Sequence, residues 1–239
     1  MGHMIEEIAK HRGHKIVSVI DAHNPDDFNT SAFREADVAI EFTTPGTAVD
    51  NILKAFAAKV PVVCGTTGWL DALPELKDMC DKGDGTLLYA SNFSIGVNVF
   101  MAVNRYLATL MDELPEYVPS MTEIHHIHKL DHPSGTAITL AEDIVERVTR
   151  LDSWEEPVEG KTPGKNILPI AHERQGEVPG THIVTWDSPV DKITISHEAK
   201  SREGFALGAV KAAEWLKDKK GYHTISDMLS DLTHTTGIF

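Results

Sequence analysis

What the chain lacks narrows it first. Its two cysteines, Cys64 and Cys80, in 239 residues form neither a Cys-x-x-Cys pair nor the dense framework of a small secreted domain. Free thiols in a reducing cytoplasm are the expectation. Basic charge is scarce. Lys and Arg number 22 against 36 Asp and Glu, a formal net charge of −14, which argues against nucleic acid or an anionic membrane as a partner. No apolar run approaches the ~18 residues of a membrane span. The first twenty residues carry Glu6, Glu7, Lys10, Arg12 and Lys15 with no apolar signal-peptide core. Repeats and low-complexity segments are absent too. What remains is 41 % hydrophobic and 24 % charged, an ordinary globular composition with length for one or two domains.

Periodicity then divides the chain. Gly2 to Arg12 has a helical face of Met4, Ile5, Ile8 and Ala9, with Gly13 as a stop. Lys15–Ile20, Ala36–Phe42, Val60–Cys64 and Thr86–Tyr89 are short apolar runs of the kind buried in parallel sheets. Helical patterns follow Pro45 (Val49, Ile52, Leu53 and Phe56 inward) and Leu70. This alternation predicts a doubly wound α/β sheet with a ligand crevice at the strands' carboxyl ends. Asp21 stands where such a sheet holds a ribose hydroxyl, although a turn acid fits it equally. Gly65-Thr66-Thr67-Gly68 is by itself a turn as readily as a ligand loop. After Ser94 the pattern changes: a helix from Val97 to Leu110, a strand from Tyr117 to Ile124, and a helix from Ala137 to Arg150. Strands Thr181–Trp186 and Lys192–His197 form a hairpin around residues 187–191, and a last helix runs from Gly204 to Lys219. The middle region reads as a second, α+β domain with a mixed sheet. Its loop at 155–164, rich in Pro, Gly and charge, is the expected flexible insert.

Chemistry concentrates at 123–137: Glu-Ile-His-His-Ile-His-Lys-Leu-Asp-His-Pro-Ser-Gly-Thr-Ala. Four of the thirteen histidines lie here, with Lys129 and two acids, just before a periodic helix. Ser134 or Thr136 is a candidate cap. The first amides of a helix lack internal partners and sit at the positive end of its dipole. With Lys129 and imidazoles upstream, they suit a carboxylate or phosphate, beside groups that move protons near neutral pH. Three other readings stand beside this one. The groups can be structural, His126 and His128 with Asp131 can hold a metal, and Ser134 can be a nucleophile, although its flanks are not Gly-x-Ser-x-Gly.

The same stretch, Glu-x-His-His-x-x-Lys-x-Asp-x-Pro-Ser-Gly-Thr-Ala, resembles the signature of the 4-hydroxy-tetrahydrodipicolinate reductase (dihydrodipicolinate reductase) family. The likeness continues in order through Gly65–Gly68, Ser91–Asn98, Arg174–His182, His197–Ala199, Arg202 and Phe205–Ala209. It implies a cytoplasmic, homotetrameric, NAD(P)H-dependent oxidoreductase of lysine and diaminopimelate biosynthesis acting on a small cyclic dicarboxylate, without metal. It implies a Rossmann-type domain at 1–96 plus 206–239 and a substrate-binding and tetramerisation domain at 97–205. By position, His125 matches the general acid/base and Lys129 the second proton donor. His126, Gly135 and Thr136 match carboxylate contacts. Gly65, Thr66, Thr67, Ala90, Ser91, Asn92 and Phe93 match cofactor contacts, and Asp21 the acid on the adenosine ribose. Ala22 and His23, not Arg or Lys, follow Asp21, so a 2′-phosphate finds no cation there and NADH is preferred over NADPH.

The chain departs from the family at its start. A first strand and a Gly-x-x-Gly-x-Met-Gly loop open the family pattern, and only Met1-Gly2 matches the end of it. Loss of a central strand is expected to expose the flanks of two neighbours. Either Met1 is an internal methionine of a longer chain, or the cofactor site is crippled; on the second reading the alternative to a reductase is a truncated, non-catalytic paralogue that binds the dicarboxylate or oligomerises without turnover.

Overall fold

The structure is a computed structural model that describes residues 1–158, 160, 162–235 and 237–239. In chain order it begins with α1 (Gly2–His11), the short α2 (Ser31–Arg34), β1 (Ala39–Glu41), α3 (Pro45–Ala57), β2 (Val62–Cys64), α4 (Leu73–Asp81) and β3 (Thr86–Tyr89). It continues with α5 (Ile95–Asp112), β4 (Val118–His125), α6 (Gly135–Arg147), β5 (Ser153–Glu155), β6 (Ile167–Arg174), β7 (Thr181–Asp187) and β8 (Lys192–Glu198). It closes with α7 (Glu203–Leu216), β9 (Gly221–Thr224) and α8 (Ile225–Thr233). The chain forms two compact units, Met1–Ile95 with Glu203–Gly237 and Phe239, and Gly96–Arg202 with Ile238.

The first unit is a four-stranded parallel sheet in the order β1-β2-β3-β9. Alternate residues of its strands enter two different cores, as the two-residue period of a strand requires. Val63 and Leu88 pack with α1, α7 and α8, through Ile5, Ala9, Ala209, Val210, Leu216 and Met228. Val62, Cys64 and Leu87 pack with α3 and α4, through Ile52, Phe56, Leu76 and Cys80. Helices on both faces make this the doubly wound α/β arrangement, and they explain why the strands read as continuous apolar runs. Pro45 opens α3 at a position where a missing N–H costs nothing. Thr224 and Asp227 cap α8 reciprocally, each side chain bonding to the other's backbone N–H. The two cysteines are free and buried.

One expected strand is absent. Lys15–Ile20 carries no strand assignment and pairs with none of the described strands, although Ile16 and Ile20 still pack against the two cores. Apolar, β-branched composition makes a segment suited to a sheet, but only a hydrogen-bonding neighbour makes it a strand. Val19 is left 58 % exposed, and β1 forms the open edge of the sheet.

The second unit is a mixed five-stranded sheet in the order β5-β6-β4-β7-β8. β5, β6 and β4 run parallel, while β4, β7 and β8 are antiparallel. Burial alternates strictly along β4 and β7. One face carries Met121, Leu168, Ile170, Val184 and Trp186 against α5 and α6, through Phe100, Met111, Leu140 and Ile144. Asn104 in α5 donates to the Leu140 carbonyl of α6 at 3.0 Å, fixing the two helices over that face. The other face of β4 and β7, with Thr122, Ile124, Ile183 and Thr185, is only half-buried. Of the anticipated insert at 155–164, Glu159 and Lys161 lie outside the described residues.

Candidate active site

Strand register assembles the site. The rung Ile170, Met121, Val184 and Ile195 crosses β6, β4, β7 and β8 and is apolar. Two residues further along β4, the next rung on the same face reads His172, Glu123, His182 and His197, and beyond it His125 pairs with Arg174. The sheet face thus turns from core to ionisable within about 7 Å, two strand residues.

Glu123 is completely buried. The Arg174 guanidinium donates to its Oε1 from Nη1 at 3.3 Å and from Nη2 at 3.2 Å. Burial pushes this carboxyl upward, but the Ser134 hydroxyl, His125 and Arg174 together outweigh it and hold it below the usual glutamate value. The second oxygen lies 2.6 Å from His125 Nδ1. That contact is close but off-line, since among the described residues neither atom has a directed hydrogen bond. His125 is 7 % exposed. Burial lowers its pKa, opposed by Glu123 and assisted by Lys129 and Arg174. The ring is therefore neutral at neutral pH.

Arg174 also bonds to the carbonyls of Lys129 and Asp131, at 3.1 and 2.9 Å. One side chain thus ties the buried acid to the loop that carries Lys129. Lys129 is mostly buried along its stem, and its Nζ lies 2.6 Å from Asp131 Oδ2. His126 is partly buried and its Nδ1 has no hydrogen-bond partner among the described residues. Ser134 caps α6, its Oγ accepting from Ala137 N at 3.2 Å and bonding to His182 Nε2 at 3.0 Å. This satisfies the third helical amide and leaves those of Gly135 and Thr136 without a helical acceptor. The hydroxyl thus serves the cap and His182 and also acts on the Glu123 carboxylate. The trio His126, His128 and Asp131 does not bring its ligand atoms within 4.8 Å of one another, and Asp131 is taken by Lys129. Ligand atoms do converge at Glu123, His125 and His182.

His182 is a residue that the sequence reading missed. Burial, with a smaller push from His125, lowers its pKa to about 4. The unfolded chain takes up this proton near pH 6.5 and the folded one only near 4. Stability is therefore whole above pH 6.5, falls across that window, and is lower by about 3 kcal/mol at its acid end. Urea titrations from pH 7 to 4 should show this loss, and His182→Asn should remove most of it. An identical slope in both proteins would refute the assignment.

In the first unit, Gly65, Thr66 and Thr67 follow β2, and Ala90, Ser91, Asn92 and Phe93 follow the adjacent β3, at the carboxyl ends of parallel strands. Thr66 Oγ1 accepts from Thr43 N at 2.7 Å, and Thr66 O accepts from Trp69 Nε1 at 2.6 Å, so this loop is held rigidly. A Cβ on Gly65 would come 2.2 Å from the Phe42 ring. Asn92 Oδ1 accepts from Ser94 N at 2.8 Å, shaping the second loop. Phe93 is 2 % exposed and packs against Phe42, so only its backbone can face a ligand. Asp21 Oδ1 accepts from His23 N at 2.7 Å in an exposed turn. Small, backbone-rich loops after neighbouring parallel strands fit a dinucleotide.

Comparison with known proteins agrees with this arrangement. Family models for dihydrodipicolinate reductase match most of the chain, the amino-terminal model over residues 1–93 and the carboxy-terminal model over 96–229. A 4-hydroxy-tetrahydrodipicolinate reductase of Christiangramia forsetii is 50 % identical over 236 residues, 97 % of this chain and 95 % of the relative. One from Archaeoglobus fulgidus is 38 % identical over 202 residues, 82 % of this chain and 76 % of the relative. Among solved structures, a dipicolinate-bound dihydrodipicolinate reductase from Paenisporosarcina sp. TG-14 superposes with a TM-score of 0.68 at 21 % identity, covering 92 % of this chain and 93 % of that one. The molecule is thus an NAD(P)H-dependent oxidoreductase with a Rossmann-type fold. The chain belongs to the dihydrodipicolinate reductase family, whose place is in lysine and diaminopimelate biosynthesis.

Proposed function

We propose that this chain reduces 4-hydroxy-tetrahydrodipicolinate to tetrahydrodipicolinate and water, with His125 and Lys129 delivering the proton. The observation that carries the reading is the buried Glu123–His125 pair beside the start of α6, with Lys129 on the loop between them. The Gly135 and Thr136 amides, with His126, receive a ring carboxylate at the positive end of the helix. The second negative charge of the substrate raises the proton affinity of His125, which Glu123 stabilises when charged. The reduced nicotinamide supplies the hydride when bound. Loss of the 4-hydroxyl with a neighbouring ring proton, as water, leaves a conjugated imine, which takes the hydride at one carbon while His125 or Lys129 protonates the next. Asp21, Gly65, Thr66, Thr67 and Ala90 to Phe93 hold the cofactor, with NADH favoured because Asp21 repels a 2′-phosphate. The half-buried face of β4 and β7 supports a homotetramer in which a second copy covers it. The reductive step itself uses no metal.

This reading is favoured over a non-catalytic paralogue because the acid, the imidazole, the lysine and the helix cap all stand together in one unit. The test is an assay of purified chain with 4-hydroxy-tetrahydrodipicolinate, following loss of reduced nicotinamide. Turnover with either cofactor is the expected result, and a lower KM with NADH than with NADPH. Saturable dicarboxylate binding with no turnover under both cofactors would establish the paralogue instead.

A further inference from the structure

A second cluster lies in the same unit and takes no part in the proton chemistry. His132, Glu156 and His172 come from three separate segments, namely the loop before α6, the residue after β5, and β6. Glu156 Oε1 lies 2.8 Å from His132 Nδ1 and 2.7 Å from His172 Nδ1, so one carboxylate oxygen serves both rings. Oε2 lies 3.0 Å from His132 Nδ1. The two rings stack 4.1 Å apart at 20°, which turns both Nδ1 atoms toward the same carboxylate. All three ligand atoms lie within 4.8 Å of one another.

The backbone holds each residue firmly while the side chains keep room to turn. His172 sits in β6, inside the sheet, on the rung of Glu123. Glu156 leaves β5 immediately after Glu155, which is in register with Pro169 of β6. His132 precedes the buried Pro133 and the Ser134 cap, on a loop that Arg174 fastens through the Lys129 and Asp131 carbonyls. The His132 and His172 side chains are 46 % and 36 % exposed, so the rings can splay without disturbing the core.

We propose that His132, His172 and Glu156 form a binding site for a borderline divalent transition metal, of which Zn²⁺ is the model ion. Two imidazole nitrogens and one carboxylate oxygen are the donor set of a three-protein-ligand site with an open fourth position for water. Imidazole excludes Mg²⁺ and Ca²⁺, which take oxygen ligands. Around a tetrahedral ion with bonds of about 2.0–2.1 Å the donor atoms stand about 3.3 Å apart. The carboxylate oxygen therefore moves out by only a few tenths of an ångström from each Nδ1, and the rings turn toward a common point. The bound ion clips the loop carrying Lys129 to the β5–β6 edge of the sheet, so it acts as a local brace and supplies none of the reductive chemistry.

Zn²⁺ titrated into the tag-free full chain, followed by calorimetry and by thermal unfolding, tests this. One equivalent should bind and raise the unfolding temperature. His132→Ala, His172→Ala and the shape-preserving Glu156→Gln should each weaken binding by roughly 10- to 100-fold or more, since even outer partners of metal ligands are worth that much. Co²⁺ in place of zinc should give the intense visible bands of a tetrahedral site, lost in the same variants. Unweakened binding in all three variants overturns the proposal. Binding lost instead on substitution of His3, His11 and His14, or of Glu123, overturns it equally.

Discussion

His125→Gln should lower kcat by roughly 10²- to 10⁴-fold, the usual worth of a positioned general acid or base, while leaving the unfolding transition in place. Glutamine keeps much of the ring's volume and a donor, so the buried Glu123 is not left facing an apolar cavity. Lys129→Met should cost a similar factor, because methionine keeps the apolar stem and removes only the ammonium. The two together should fall well short of the product of the single losses if they share one proton transfer. Gly180→Ala separates position from chemistry. Gly180 has φ +152°, and a Cβ there would meet His125 Nε2 at 2.9 Å. The ring must swing away, and kcat should fall roughly 10- to 100-fold although every proton-bearing group is intact. Unchanged kcat in both His125→Gln and Lys129→Met would end the proposed roles.

The second large effect is in the other unit. Gly208 lies in α7, where alanine is ordinarily the better helix former by about 1 kcal/mol. Here a Cβ would stand 1.7 Å from the carbonyl oxygen of Phe93 and 2.8 Å from its carbonyl carbon. Backbone cannot yield as a flexible side-chain tip can. Gly208→Ala should therefore destabilise the protein by about 2–3 kcal/mol despite the helix preference. It should also displace the Ala90–Phe93 loop and weaken NADH binding. Urea midpoints, at unchanged denaturant slope, and a fluorescence titration measure the two effects. A variant as stable as the parent with equal NADH affinity would show that the loop gives way freely.

Much of this molecule can be read from its residues. Short apolar runs marked β1, β2 and β3, and three-and-four periodicity marked α3, α5, α6 and α7, because both patterns are local. Pairing is not local. Lys15–Ile20 has the composition of a buried strand yet pairs with nothing described, and no window of sequence contains that information. β6 escaped for the opposite reason. Pro169 interrupts its alternation and argues against a sheet interior, but it sits at the end of the β5 pairing and just before the β4 ladder begins at Ile170. β9 and α8 are as long as β3 and α4, but Gly-Tyr-His-Thr in β9 has no aliphatic residue and no alternation, and α8 follows it without a break. In the site, His125, Lys129 and the Ser134 cap were legible as one compact motif. Arg174, His182 and His197 lie 49 to 72 residues from His125 in the sequence, and only strand register places them on its rungs. The His132–Glu156–His172 cluster is hidden in the same way.

The rung of His172, Glu123, His182 and His197 also acts as a ruler. Side chains alternate faces, so a slip of one residue in β7 would put Thr181 or Ile183 where His182 stands and send the imidazole to the open face. Substitutions along that open face leave the count untouched. One inserted or deleted residue inside β7 would take His182 off the Ser134 cap and away from the Glu123 rung without altering Glu123, His125 or Lys129. In the stretch from Thr181 to Glu198, spacing is therefore held more tightly by function than composition is, and the turn at 188–191 is where added length would be absorbed.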